Sequence, residues 1–203
     1  MITFITAAVV FGLSAGFSPG PLLTLVIAQT LGHGVREGIK VSLAPLVTDI
    51  PIICLALLLL SRLSHFHAVL GWISIAGGVF VMYLAFGTLR AKGPGTGAVE
   101  AKAQSLGKGI AVNALSPHPY IFWITVGSPI ILKAAQESFA SALAFIFCFL
   151  ACLVGSKVFV AVIVGRTRNA LAGKAYRYVM VLLGLLLIAF ALFLIRDGLI
   201  LLI

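Results

Sequence analysis

The sequence predicts an all-α integral membrane protein of six transmembrane helices, arranged as two inverted three-helix repeats. Three observations carry that prediction. The 203 residues are 62% hydrophobic and only 9% charged, where a soluble domain carries about 25% charged residues. Six apolar runs are each long enough to cross a bilayer. A Ser-Pro-x-Pro motif recurs once in each half of the chain. With a mean hydropathy of +1.21, the surplus apolar surface must face lipid.

A window of about 20 residues finds the runs at 2–31, 38–60, 67–90, 107–132, 138–165 and 176–196. The residues after Arg196 read as an apolar tail or a continuation of the last helix. No cleavable leader is expected, because the first 30 residues lack a basic region and run on into a motif. No segment between runs exceeds about twenty residues, which excludes a soluble catalytic domain. The whole chain, 1–203, reads as one membrane domain. Residues 1–90 form the first repeat, 91–106 a linker and 107–203 the second repeat. Within the linker, Gly93-Pro94-Gly95-Thr96-Gly97 breaks any helix.

Loop charges give the orientation. The first loop holds Arg36 and Lys40. The third holds Arg90, Lys92, Lys102 and Lys108, and the fifth Arg166, Arg168, Lys174 and Arg177. The even loops and the C-terminal region hold only Arg62, Lys133 and Arg196. The positive-inside bias makes the odd loops cytoplasmic and sets both termini outside, in a multi-pass protein of the cell membrane. The same bias accounts for the net charge of +9. Nucleic acid is not an expected partner, since no basic arm or aromatic platform is present. Cys54, Cys148 and Cys152 fall in apolar runs without metal-binding spacing. They read as packing residues, with Cys54–Cys152 as an unproven pair.

The first run contains Ser18-Pro19-Gly20-Pro21 and the fourth Ser116-Pro117-His118-Pro119, 98 residues further on. Each half has three runs, an odd number, so the second half enters the membrane with opposite polarity. Each proline removes a backbone donor and frees a carbonyl one turn back. Such groups cannot face lipid. They must line a polar cavity or be met by neighbouring side chains. A half-helix restarting at Pro21 or Pro119 offers free N–H groups and a positive dipole end, suited to an anion such as a carboxylate. The serine hydroxyls suit either capping or contact with a solute.

Asp49 lies in the middle of the second run and Lys157 in the fifth. A carboxylate there costs roughly 2.5–3.5 kcal/mol unless paired, protonated or hydrated. Three roles are open. The two form a structural ion pair. Or Asp49 binds a cation or relays protons while Lys157 holds a carboxylate or switches partners. Or Lys157 snorkels to an interface. Asn113 lies one turn before Ser116. His118, within the second motif, suits carriage of a coupling proton or the neutral satisfaction of freed carbonyls. Gln29 is a weaker candidate. His33, His65 and His67 read as solvated loop residues. No HExxH, phosphate-binding loop or dinucleotide fingerprint is present, and a nucleophile–base pair from Ser18 or Ser116 with His118 is a thin basis for an enzyme. Neither a cofactor nor a metal site is expected.

The run Gly16-Phe17-Ser18-Pro19-Gly20-Pro21, followed by Gly34, Arg36, Gly38 and Asp49, resembles the lysine-exporter (LysE) family of amino-acid efflux proteins. The chain length and the Asn-x-x-x-Pro pattern of Asn113 and Pro117 agree with it. The resemblance implies amino-acid export driven by a proton gradient. Ala44 and Thr48 stand where the family usually has glycines, and Ser116-Pro117-His118-Pro119 stands where many members read Asn-Pro-Lys-Ala. Related electron carriers place cysteines beside the broken helices, which this chain does not.

The expected function is that of a secondary transporter exporting a small zwitterionic or cationic solute, above all an amino acid, by alternating access with proton coupling. Ser18, Pro19, Gly20, Pro21, Asp49, Asn113, Ser116, Pro117, His118, Pro119 and Lys157 are the expected substrate site, with Asp49 and His118 as proton carriers. The alternatives are an inorganic cation carrier, for which one intramembrane carboxylate is few ligands, and a non-transporting membrane scaffold. The expected partners are the solute and the lipid bilayer. A homodimer suits so small a bundle, although no motif marks one.

Overall fold

The computed structural model describes residues 1–59, 66–90, 104–167 and 174–202. The linker motif at 93–97, the loop charges Arg62, Lys92, Lys102 and Arg168, and His65 lie outside the described residues. Every element is helical. They are α1 (Ile2–Phe17), α2 (Pro21–His33), α3 (Val35–Ser42), α4 (Ala44–Leu59), α5 (Phe66–Leu89), α6 (Ser105–Ala114) and α7 (Pro117–Phe122). A π-helical turn (Trp123–Gly127), α8 (Ser128–Glu137), α9 (Phe139–Thr167) and α10 (Lys174–Leu202) follow.

Among these, Val35–Leu58, Leu70–Leu89, Phe139–Thr167 and Ala175–Leu202 are each long and apolar enough to cross a membrane. The pair α1 and α2, bent by 60° at the first motif, makes a fifth. The run expected at 107–132 is not continuous, and its first break falls at the second motif, where the sequence places one. It is divided into α6, α7, the π turn and α8. The apolar tail after Arg196 belongs to α10, which continues to Leu202.

Chain chemistry explains the breaks. Helix α1 stops at Phe17 because Pro19 cannot donate to the next ladder bond and restricts Ser18 to an extended conformation, ψ 126°. Pro21 then opens α2 at its first position, where the missing N–H costs nothing. In the second motif the restart falls at Pro117, two residues before the expected Pro119. Both prolines fit the first turn, whose N–H groups lack intrahelical acceptors in any case. The sharp turn from α2 into α3 is made at Gly34, with φ 99°, a conformation that disfavours any side chain.

Glycines bring the helices close. A Cβ on Gly12 would lie 2.7 Å from the Phe149 carbonyl oxygen, and one on Gly16 would strike the Ser156 hydroxyl. These two residues, one turn apart, seat α1 on α9 backbone to backbone. Gly71 and Gly198 seat α5 on α10 in the same way, a Cβ on Gly71 lying 2.9 Å from the Gly198 carbonyl oxygen. Gly38 packs against Thr30 and Ala161, joining α3 to both α2 and α9. The Met1 ammonium meets Glu137 at 2.9 Å, so the start of α1 and the end of α8 share one end of the bundle. Gln29 and Ser105 meet at the other end, 3.1 Å apart.

Candidate functional site

Both helix breaks face one cavity of about 490 Å³. Ser18, Pro19, Gly20 and Pro21 line it from the first break, and Ser116, His118 and Pro119 from the second. Asp49, Asn113 and Lys157 complete the set that the sequence brings into view. Pro117 alone of the expected residues does not line it; this proline is buried behind the wall.

Asp49 is 3% exposed and heavily hydrogen-bonded. Its Oδ1 accepts from Asn113 Nδ2 at 2.9 Å and from the Thr48 hydroxyl at 3.3 Å. Its Oδ2 accepts from the indole N–H of Trp123 at 3.2 Å. Asn113 also donates to Thr48 Oγ1 at 2.6 Å. Asn113 of α6 and Trp123 of the π turn thus hold the carboxylate, and the Thr48 hydroxyl of α4 shares its one proton between Asp49 and the Ala44 carbonyl oxygen at 3.1 Å.

Lys157 is equally buried, at 4%, yet does not pair with Asp49. Its ammonium donates to the carbonyls of Gly16 at 3.0 Å and Ala15 at 3.4 Å. These are carbonyls of the last turn of α1, freed by Pro19. A cation there meets the negative end of the helix dipole. Neither the ion pair nor the snorkelling lysine describes this structure: the side chain turns inward and closes a helix end.

The two breaks differ in what they can bind. Helix α2 leaves the N–H groups of Leu22 and Leu23 without intrahelical acceptors, since the first ladder bond runs from Thr24 to Gly20 at 3.0 Å. Both leucines line the cavity. In α7 the prolines at 117 and 119 have already removed two of the first-turn donors. His118 stands there instead, exposed to the cavity. The freed carbonyls do not recruit His118; Tyr120 donates to Ala114 O at 2.8 Å. Ser116 neither caps α7 nor points its proton at the cavity, because its hydroxyl donates back to Val112 O at 2.7 Å.

Four contributors go beyond the sequence reading. Trp123 and Thr48 bind Asp49. Gly127 makes room for the indole, since a Cβ there would strike the Trp123 ring. Asp197, assigned to the tail, lines the cavity from α10 as a second carboxylate. A signal for two of these exists in the sequence: an indole N–H at membrane depth needs an acceptor, and an aspartate in an apolar run needs a reason. Phe122 and Phe149, stacked with centroids 4.8 Å apart, form an apolar wall. Gln29 lies in a different cavity. The three cysteines are free, and Cys54 does not pair with Cys152.

The sequence profile described as LysE type translocator matches residues 13–198. The chain belongs to this family of translocators. Among individual proteins it is similar to a cysteine/O-acetylserine efflux protein of Klebsiella pneumoniae, with 25% identity over 139 residues, 66% of this chain and 69% of the relative. No solved structure matches it.

Proposed function

We propose that the chain is a secondary transporter that exports a small zwitterionic or cationic solute, an amino acid above all, across the cell membrane. One observation carries this reading: two helix breaks from opposite halves of the chain and a buried, cavity-facing carboxylate line the same cavity. The N–H groups at the start of α2 suit a carboxylate, and Asp49, with Asp197 nearby, suits an ammonium. The export of cysteine or O-acetylserine named for the relative falls within this substrate class.

In this reading α6 to α8 together count as the fourth span, which brings the total to six, and the halves 1–90 and 107–203 are inverted repeats. The helix contacts support it. Helix α1 packs on α9 as α6 packs on α4, α2 on α3 as α8 on α9, and α5 on α10 across the pseudo-symmetry. Each pair exchanges into its counterpart when the halves are swapped. Asp49 on α4 meets the broken span of the other half through Asn113, as Lys157 on α9 meets it through Gly16. The two ionisable groups are therefore counterparts in packing, despite a sequence offset different from 98. Rocking of one half against the other gives alternating access, and Asp49 and His118 are the groups suited to carry a coupling proton.

The test is efflux of an amino-acid panel from proteoliposomes, with and without a pH gradient. Asp49→Asn removes the charge and keeps one acceptor oxygen, enough for Trp123 or for Asn113 but not for both. Gradient-driven efflux is expected to vanish in this variant while the protein remains monodisperse. Efflux at the wild-type rate would falsify the role given to Asp49. Transport of a divalent cation by the wild type, and of no amino acid, would favour the carrier reading that the second carboxylate, Asp197, makes more tenable.

A further inference from the structure

A second cavity of about 510 Å³ lies away from the first, between α2, α5, α6 and α10. Residues of all four helices line it, with His33 of α2, Arg90 just beyond α5 and Lys108 of α6 at its rim. Three features of this lining belong together. Arg90, Lys108 and His33 bring basic side chains from three chain segments to one rim, and among the described residues no acidic one lines it. Glu37 of the neighbouring α3 is bonded to Lys40 at 2.6 Å and also interacts with Ser105 and His33, so the binding charge of the cleft is that of Arg90 and Lys108. The α5 wall opens sideways, with Tyr83 70% and Phe86 50% exposed on a helix apolar enough to span a membrane. The floor is apolar, made by Leu25, Leu84 and Met180, all buried.

We propose that this cleft holds an anionic phospholipid, its phosphate bound by Arg90 and Lys108, and its acyl chain lying against Tyr83, Phe86 and Met180. The shared chemistry is a phosphate group. The lateral opening and the apolar wall select the lipid over a free ion, because a soluble anion uses the cations and leaves the wall empty. Arginine supplies a planar fork for phosphate oxygens and lysine a point charge. Basic pockets between helices at the cytoplasmic side suit such head groups, and Arg90 and Lys108 belong to the odd, cation-rich loop. The inference does not depend on what the central cavity carries.

The experiment measures retention of phosphatidylglycerol and of phosphatidylcholine on the purified full-length protein by native mass spectrometry, with inorganic phosphate as competitor. Wild type is expected to retain phosphatidylglycerol selectively. The double variant Arg90→Gln/Lys108→Gln is expected to weaken that retention about 30-fold, equivalent to about 2 kcal/mol at 1.4 kcal/mol per tenfold. The charge-preserving Arg90→Lys/Lys108→Arg should retain most of it, which separates lost charge from misfolding. Lys133→Gln, an exposed cation at the other end, should change nothing. Equal retention of both lipids, or unchanged retention in the double variant, overturns the proposal. Displacement of the lipid by millimolar inorganic phosphate overturns the lipid as the ligand and assigns the cleft to a soluble anion. A double variant that keeps its lipid but loses solute affinity shows instead an entry vestibule, and equally overturns it.

Discussion

At the scale of single residues, the shape of the site follows from where polar groups find partners. Asp49 and Lys157 are legible in sequence because a charge inside an apolar run is costly and therefore conspicuous. Their partners are less so. Trp123 looks like one more aromatic, and only its distance to Asp49 Oδ2, 3.2 Å, gives the indole N–H its purpose. Trp123→Phe keeps the ring and deletes that donor. Losing a hydrogen bond to a charged group costs about 1.5–3 kcal/mol. We expect a lower thermal midpoint in detergent and a several-fold lower efflux rate, read in the same proteoliposomes. Unchanged values in both would show that Asn113 and Thr48 suffice. The lysine was harder to read, since its acceptors are backbone carbonyls, which every sequence has and none advertises.

At the scale of elements, the first break was visible down to its residues, because two prolines two apart dictate it. The break in the fourth run was visible in the same way, but the π turn that follows it was not. A π turn is one residue wider than an α turn and depends on what packs beside it, here the Trp123 ring over Gly127. The cavity-lining role of Asp197 was hidden by the same kind of limit: hydropathy places the end of a span, not the direction of a side chain beyond it. The α1–α9 seam offers a direct check. Gly16→Ala forces a Cβ into the Ser156 hydroxyl, and overpacking of this kind costs about 1–3 kcal/mol. The single variant should unfold at lower temperature. Adding Ser156→Ala removes the obstructing oxygen and should recover part of the loss, measured as a double-mutant cycle.

At the scale of the whole molecule, helical class and apolar character were set by composition, whereas the pairing of helices was not. Which glycine meets which backbone depends on the third dimension. Sidedness rests on loop charge and can be measured. In a background with the native cysteines replaced, Ile2→Cys and Glu137→Cys belong to the end that holds the Met1–Glu137 ion pair. They should react with a membrane-impermeant maleimide on intact cells. His33→Cys and Thr167→Cys, at the opposite end, should react only after permeabilisation. The reverse pattern inverts the orientation, and a mixed pattern at one end contradicts the bundle.

The engagement of Lys157 with the end of α1 has an electrical consequence. Its ammonium is held by backbone dipoles, 3.0 Å from the Gly16 carbonyl oxygen, and not by a carboxylate. The cavity wall carries Asp49, Asp197, Lys157 and His118, formally one negative charge in excess when both carboxylates are ionised and the imidazole is neutral. The +9 of the chain lies mostly in the odd loops at one end, so the cavity wall, with both carboxylates ionised, is locally negative except at the start of α2. A solute bearing an ammonium gains energy beside those carboxylates, and a dianion is repelled by them inside the cavity.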